Sequence, residues 1–95
     1  MEITSSSNIV NITGNIKSIS NFAEIKKLVD SVSAQHKSMT VNIIDSLSIT
    51  SSVIGYFNKI ILKDNIDIKM KIGNDQLMDL IKDLNLDSTF KASKV

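Results

Sequence analysis

The chain has 95 residues, of which 42% are hydrophobic and 22% charged, with a formal net charge of +1 and no cysteine. That length supports one core burying roughly two-thirds of the surface an unfolded chain exposes. The near-neutral charge gives no electrostatic reason for a nucleic-acid partner or an anionic membrane, and without thiols there is no disulfide, thiolate metal site or redox centre.

The start, Met1-Glu2-Ile3-Thr4, has neither a basic nor an apolar leader pattern, and no apolar run approaches the roughly 20 residues of a membrane span. The chain therefore reads as soluble, unexported and cytoplasmic, with no direct membrane insertion. No Pro-rich or Gly-rich linker and no internal repeat divides it, so residues 1–95 are read as a single domain.

Met1 to Ser5 forms a short strand that turns through Ser5-Ser6-Ser7-Asn8 into a second, Asn8 to Thr13, which carries Ile9, Val10 and Ile12 and stops at Gly14-Asn15. Phe22, Ile25, Leu28, Val29 and Val32 then recur at helical spacing. Asn21 with Glu24 three residues later has the form of a capping box, and this helix is expected to end near His36. From Thr40 to Asp45, Val41, Ile43 and Ile44 are almost continuous, the pattern of a strand covered on both faces at the centre of a sheet.

After Ser51, the residues Val53, Ile54, Phe57, Ile60 and Ile61 make one face of a helix of about three turns apolar, with Ser52, Tyr56, Lys59 and Lys63 along another face. Ile66, Ile68, Met70 and Ile72 alternate with Asp67, Lys69 and Lys71, as in a strand wet on one face and guarded by lysines. Gly73-Asn74 ends it. A last helix carries Leu77, Leu80, Ile81 and Leu84 and closes near Asn85, with Leu86 and Phe90 packing back. The order β-β-α-β-α-β-α predicts an α/β fold: a mixed sheet of about four strands whose central parallel strands are joined by right-handed helical crossovers, with three helices and with Val41, Ile43, Ile44, Ile54 and Phe57 in the core.

Candidate chemistry is sparse. His36 is the sole histidine and follows a helix, where an imidazolium suits the negative end of the dipole; no metal-ligand spacing accompanies it. Asp45, beyond a central strand, reads as a loop carboxylate satisfying backbone donors, because no acid–base partner can be named for it. Ser51 and Ser52 lack a positioned base and a Gly-x-Ser-x-Gly elbow. Gly14, Gly55 and Gly73 make no phosphate loop. No catalytic residue, metal site or cofactor is assigned, and an enzyme is not expected.

The informative stretch is Thr50-Ser51-Ser52 at a helix start, where backbone N–H groups are unpartnered and the dipole is positive. Plain N-capping accounts for the hydroxyls taken alone. Gly55 changes the balance: inside a helix it costs about 1 kcal/mol relative to Ala, so it belongs where something comes close, whether a docked protein or internal packing. Ser51, Gly55, Asn58 and Leu62 share one stripe, next to Tyr56 and Lys59, which are read as exposed, and together these suit a docking face.

Thr50-Ser51-Ser52-Val53-Ile54-Gly55 resembles the Asp-Ser-Ser-Gly-Leu-Gly-like helix start of the STAS domain (sulphate transporter and anti-sigma-factor antagonist). Ile9 to Ile16 resembles that family's second strand, with Lys17 where Asp is usual. Ile68 to Asn74 resembles its next strand, and Leu80 to Phe90 its closing helix, with Asn85 in a glycine position. The resemblance spans almost the whole chain and implies a STAS-like fold.

It further implies a bacterial partner switch in transcriptional signalling, in which the domain binds an anti-sigma-factor-like serine kinase, loses that affinity on phosphorylation and is reset by a cognate phosphatase. On that analogy Ser51 accepts the phosphate, with Ser52 as the fallback, while Thr50 and Ser52 shape the helix start and Gly55, Tyr56 and Lys59 contribute to the partner surface. The family's acidic residue before the serine is Thr50 here and its following glycine is Val53, which alters what a kinase meets. The competing expectation is a STAS subunit that braces an ABC ATPase in bacterial lipid transport and docks without phosphorylation.

Overall fold

A computed structural model describes residues 1–95 as β1 (Glu2–Ser6), β2 (Ile9–Thr13), α1 (Ile19–Ser33), β3 (Ser38–Ile43), α2 (Ser51–Leu62), β4 (Asp67–Ile72), α3 (Asp75–Asp83) and β5 (Ser93–Lys94). The strands lie in the order β1-β2-β3-β4-β5. β1 and β2 form an antiparallel hairpin across a two-residue turn, with Ser7 at φ 56°, and every later neighbour is parallel. Each right-handed crossover steps one strand in the same direction, so all three helices fall on one face of the sheet.

That arrangement explains the alternation in burial. The rows Val10–Val41–Met70 and Ile12–Ile43–Ile72, with Met39–Ile68, face the helices and are buried. The intervening row, Thr4–Asn11–Asn42–Lys71–Ser93, faces outward, and within it Asn42 Nδ2 donates to Asn11 Oδ1 at 2.9 Å. Phe57 of α2 and Phe90, both fully buried, close the core with ring centroids 6.4 Å apart.

The structure corrects several expectations. The sheet has five strands instead of four, because the chain after Phe90 runs back beside β4: Met70 N–H donates to the Phe90 carbonyl, and Val95 N–H to that of Ile72. β3 is covered on one face only. Ile44, just past its end, is 46% exposed and outside the core, whereas Val41 and Ile43 are fully buried and Ile54 packs half-buried against the core.

α1 begins earlier than Asn21. Ser18 is the N-cap, its hydroxyl accepting from Asn21 N–H while the Asn21 side chain accepts from Ser18 N–H, so Asn21 closes the capping box at its last position and does not open it. The helix stops at Ser33, short of His36, because no apolar residue continues the stripe beyond Val32. Asn85 does take the left-handed conformation, at φ 57°. Leu86 N–H bonds the Ile81 carbonyl and Asn85 N–H that of Lys82, the hydrogen-bond pair of a Schellman C-cap.

Gly73 sits against the backbone of Ile44, and a Cβ there would collide with the Ile44 carbonyl oxygen. At Gly55 a Cβ would meet nothing within 4 Å. Gly73→Ala is therefore expected to destabilise the fold by about 2–3 kcal/mol. Gly55→Ala is expected to stabilise it by about 0.5–1 kcal/mol through the helix preference alone. Equilibrium denaturation of the two variants checks the contrast in sign.

Candidate functional site

The carboxyl ends of β2 and β3 are joined by side chains rather than by the sheet ladder alone. Asp45 Oδ1 accepts from Gly14 N–H at 2.7 Å, and Asn15 Oδ1 accepts from Leu47 N–H at 3.0 Å. Between them lies Ser46, the one fully buried polar residue. Its hydroxyl accepts from Ile16 N–H at 3.0 Å and donates to the Ser48 carbonyl at 2.7 Å, so donor and acceptor are both used. The loops leading into α1 and α2 are thereby stitched together, and the two helix N-termini emerge side by side. Asp45 is the loop carboxylate that its position suggested.

α2 is capped by Thr50, whose Oγ1 accepts from Val53 N–H at 3.3 Å. That leaves the hydroxyls of Ser51 and Ser52, the first two residues of the helix, outside the cap and exposed. Lys17, Ser18, Ile19 and Phe22 from the start of α1 face Thr50 and Ser52 across a groove of about 340 Å³. Ile19 is 88% exposed on its rim. The α1 side of this groove was not foreseen. Its one signal in sequence is Lys17, which brings a cation to the groove.

Along the outer side of α2, Ser51, Gly55, Lys59 and Leu62 are exposed and Asn58 is half-buried. The empty space around a Gly55 Cβ removes internal packing as the reason for this glycine and leaves an open surface. Tyr56 departs from expectation: it is buried, not exposed beside Lys59. Its ring packs edge-on to Phe22 and tilted against Phe57, and Lys26 Nζ lies 5.7 Å from its centroid. The reason is angular. Tyr56 lies next to Val53, Phe57 and Ile60 on the inward arc of α2, and its polar tip reaches the rim, where the hydroxyl donates to Asp30 Oδ1 at 2.5 Å. Tyr56 thus ties α2 to α1 and does not present itself to a partner.

No group of three or more His, Cys, Asp or Glu side chains converges to hold a metal ion, and no helix is long and apolar enough to cross a membrane.

An open, mostly parallel five-stranded sheet with three helices on one face is a STAS-like architecture. The chain is similar in structure to an anti-sigma factor antagonist from Mycobacterium paratuberculosis, with a TM-score of 0.68 at 12% sequence identity over 96% of this chain and 81% of that one. No protein-family model and no curated protein matches the sequence.

The Tyr56–Asp30 contact carries a pH signature. Burial opposes the ionised form of Asp30, but hydrogen bonds from Lys26 and Tyr56, with the Lys26 charge, outweigh it and hold the carboxyl below its ordinary range. Burial and the Asp30 bond push the Tyr56 hydroxyl up. A depressed carboxyl contributes stability that is present above its unfolded value of about 3.9 and is lost as pH falls through the folded value; a raised phenol contributes stability present below about 10 and lost as pH rises. Tyr56→Phe is expected to cost about 1 kcal/mol near neutral pH. It should also flatten both limbs of the stability–pH curve, which thermal melts across the pH range would measure.

Proposed function

We propose that this chain is a non-enzymatic regulatory interaction module of the anti-sigma-factor-antagonist kind. In this reading it is one cytoplasmic domain that docks on an anti-sigma-factor-like serine kinase through the start of α2, is released when Ser51 is phosphorylated and is reset by a cognate phosphatase. The observation that carries the reading is the exposed Ser51-Ser52 pair, left outside the Thr50 cap at the head of α2.

The physical logic follows from the helix start. A phosphate on Ser51 would sit among the unpaired N–H groups and the positive end of the dipole, with Lys17 lining the neighbouring groove, so the fold itself tolerates the dianion. A partner surface matched to the neutral hydroxyl would instead have to desolvate or repel it. The docking face consists of Thr50, Ser51, Ser52, Gly55 and Lys59, with Tyr56 bracing it from below. Ser52 is the fallback acceptor.

A second reading, docking on an ABC ATPase without phosphate cycling, is favoured by Thr50 and Val53 at the positions where the family's kinase substrates carry Asp and Gly. Intact-mass measurement of the protein from its native cells separates the two. Added phosphate that disappears in Ser51→Ala, with partner binding lost in Ser51→Asp, supports the switch. No phosphate under any growth condition, with Ser51→Asp binding normally, overturns it and leaves Ser51 as a helix residue of the docking face. Gly55→Arg should abolish partner binding in either case while its melting temperature stays close to the parent's, since the added side chain points into open space. A calorimetric titration with the co-purified partner would measure that loss.

A further inference from the structure

The two edges of the sheet are unlike. β5 is two residues long, and one of them is Lys94, so little backbone is on offer there. β1 pairs over five residues, Glu2-Ile3-Thr4-Ser5-Ser6, with no lysine, proline or bulge to blunt it. In a hairpin closed by a two-residue turn, Ser6 and Ile9 form a hydrogen-bonded pair, as then do Thr4 with Asn11 and Glu2 with Thr13. The β3 side agrees: Thr40 and Ile44 donate to the carbonyls of Asn8 and Ile12, leaving Ile9, Asn11 and Thr13 to bond β1. The N–H and C=O groups of Ile3 and Ser5 therefore point outward.

Beside this edge, on the helix side, Ile3 and Leu28 floor a groove of about 330 Å³ rimmed by Glu24, Lys27 and Ser31. We infer that β1 is a self-association edge, whose occupant is β1 of a second copy of this chain, antiparallel about a two-fold axis through Thr4.

The strand is self-complementary in that register. Ile3 of one copy lies opposite Ser5 of the other, and each such pair exchanges both of its outward N–H···O=C bonds. Thr4 meets Thr4 of the second copy on the open face, at a Cα separation of about 4.5 Å. Glu2 falls opposite Ser6, so the seam opposes no like charges. A two-fold perpendicular to the sheet keeps both α1 helices on one side of it, antiparallel across the seam. The Ile3–Leu28 grooves then cover one another, and the rims, each carrying one acid and one base, run in opposite directions. The result is one continuous sheet through two copies, formed away from the α2 docking face and independent of its phosphorylation.

Sedimentation velocity of the full chain from micromolar to near-millimolar concentration tests this. The parent is expected to shift from monomer to dimer. Thr4→Lys and Thr4→Glu each set like charges against each other at the axis and should weaken the dimer by about tenfold or more, while Thr4 is exposed, so both should melt like the parent. An equimolar mixture of the two variants should recover a heterodimer. Ser5→Pro, which removes only an outward N–H, should leave a folded monomer. A parent that stays monomeric throughout overturns the inference, as does a mixture of folded Thr4 variants that fails to associate better than either alone.

Discussion

The buried hydroxyl of Ser46 is the contact on which the geometry of the helix starts depends. A parallel sheet fixes its strands but says nothing about how the loops at their carboxyl ends are arranged, and two adjacent loops would otherwise carry unpaired backbone groups into the interior. Ser46 answers Ile16 N–H on one loop and the Ser48 carbonyl on its own, while Asp45 and Asn15 add a bond on either side. A small polar side chain suits this position. A larger one would find no room at a fully buried point, and an apolar one would strand the Ile16 N–H at a cost of about 1–3 kcal/mol. The groove between α1 and α2 is a consequence of that stitching, because neither helix could present its first turn beside the other if the loops moved independently.

The one-sided sheet determines which surfaces stay open. Its helix-facing side is sealed by aliphatic rows and two phenylalanines, and its outer side is a mostly polar ladder of amides, hydroxyls and lysines, with Ile9 exposed among them. The first turns of α1 and α2 and the outer stripe of α2 stay open to solvent. Their rigidity comes from beneath, where Tyr56 bridges the two helices through Asp30 and packs on Phe22.

Much of this was legible in the chain because the strands alternate with period two and the helices with period 3.6, so type and order follow from apolar spacing. The start of α2 was legible because Thr50, Ser51 and Ser52 precede an unbroken apolar stripe, and the end of α3 because Asn85 tolerates a left-handed backbone. What escaped is what long-range contacts decide. β5 has two residues and hence no period. Ser46 is indistinguishable from other loop serines until Ile16 is folded over it. Ile44 continues an apolar run, yet the strand ends one residue before it and Gly73 presses on its backbone. Asn21 fits the first and the last place of a capping box equally well, and only the position of Ser18 chooses. Tyr56 lies at the boundary between two helix faces, and the ring followed its apolar neighbours inward while the hydroxyl stayed at the rim.

The strand order has a kinetic consequence. In β1-β2-β3-β4-β5 every strand pairs with its neighbour in sequence, so no strand waits for a distant segment to be inserted between two others. Each closure spans a single hairpin or a single strand–helix–strand unit, and the entropic cost of closing the longer units grows only slowly with their length. The chain can therefore grow its sheet by accretion from the hairpin outward, each new strand finding a finished edge. The hairpin is the one local pairing and the three parallel closures are non-local and slower, so the growing edge of the sheet is the part most exposed to other chains during folding.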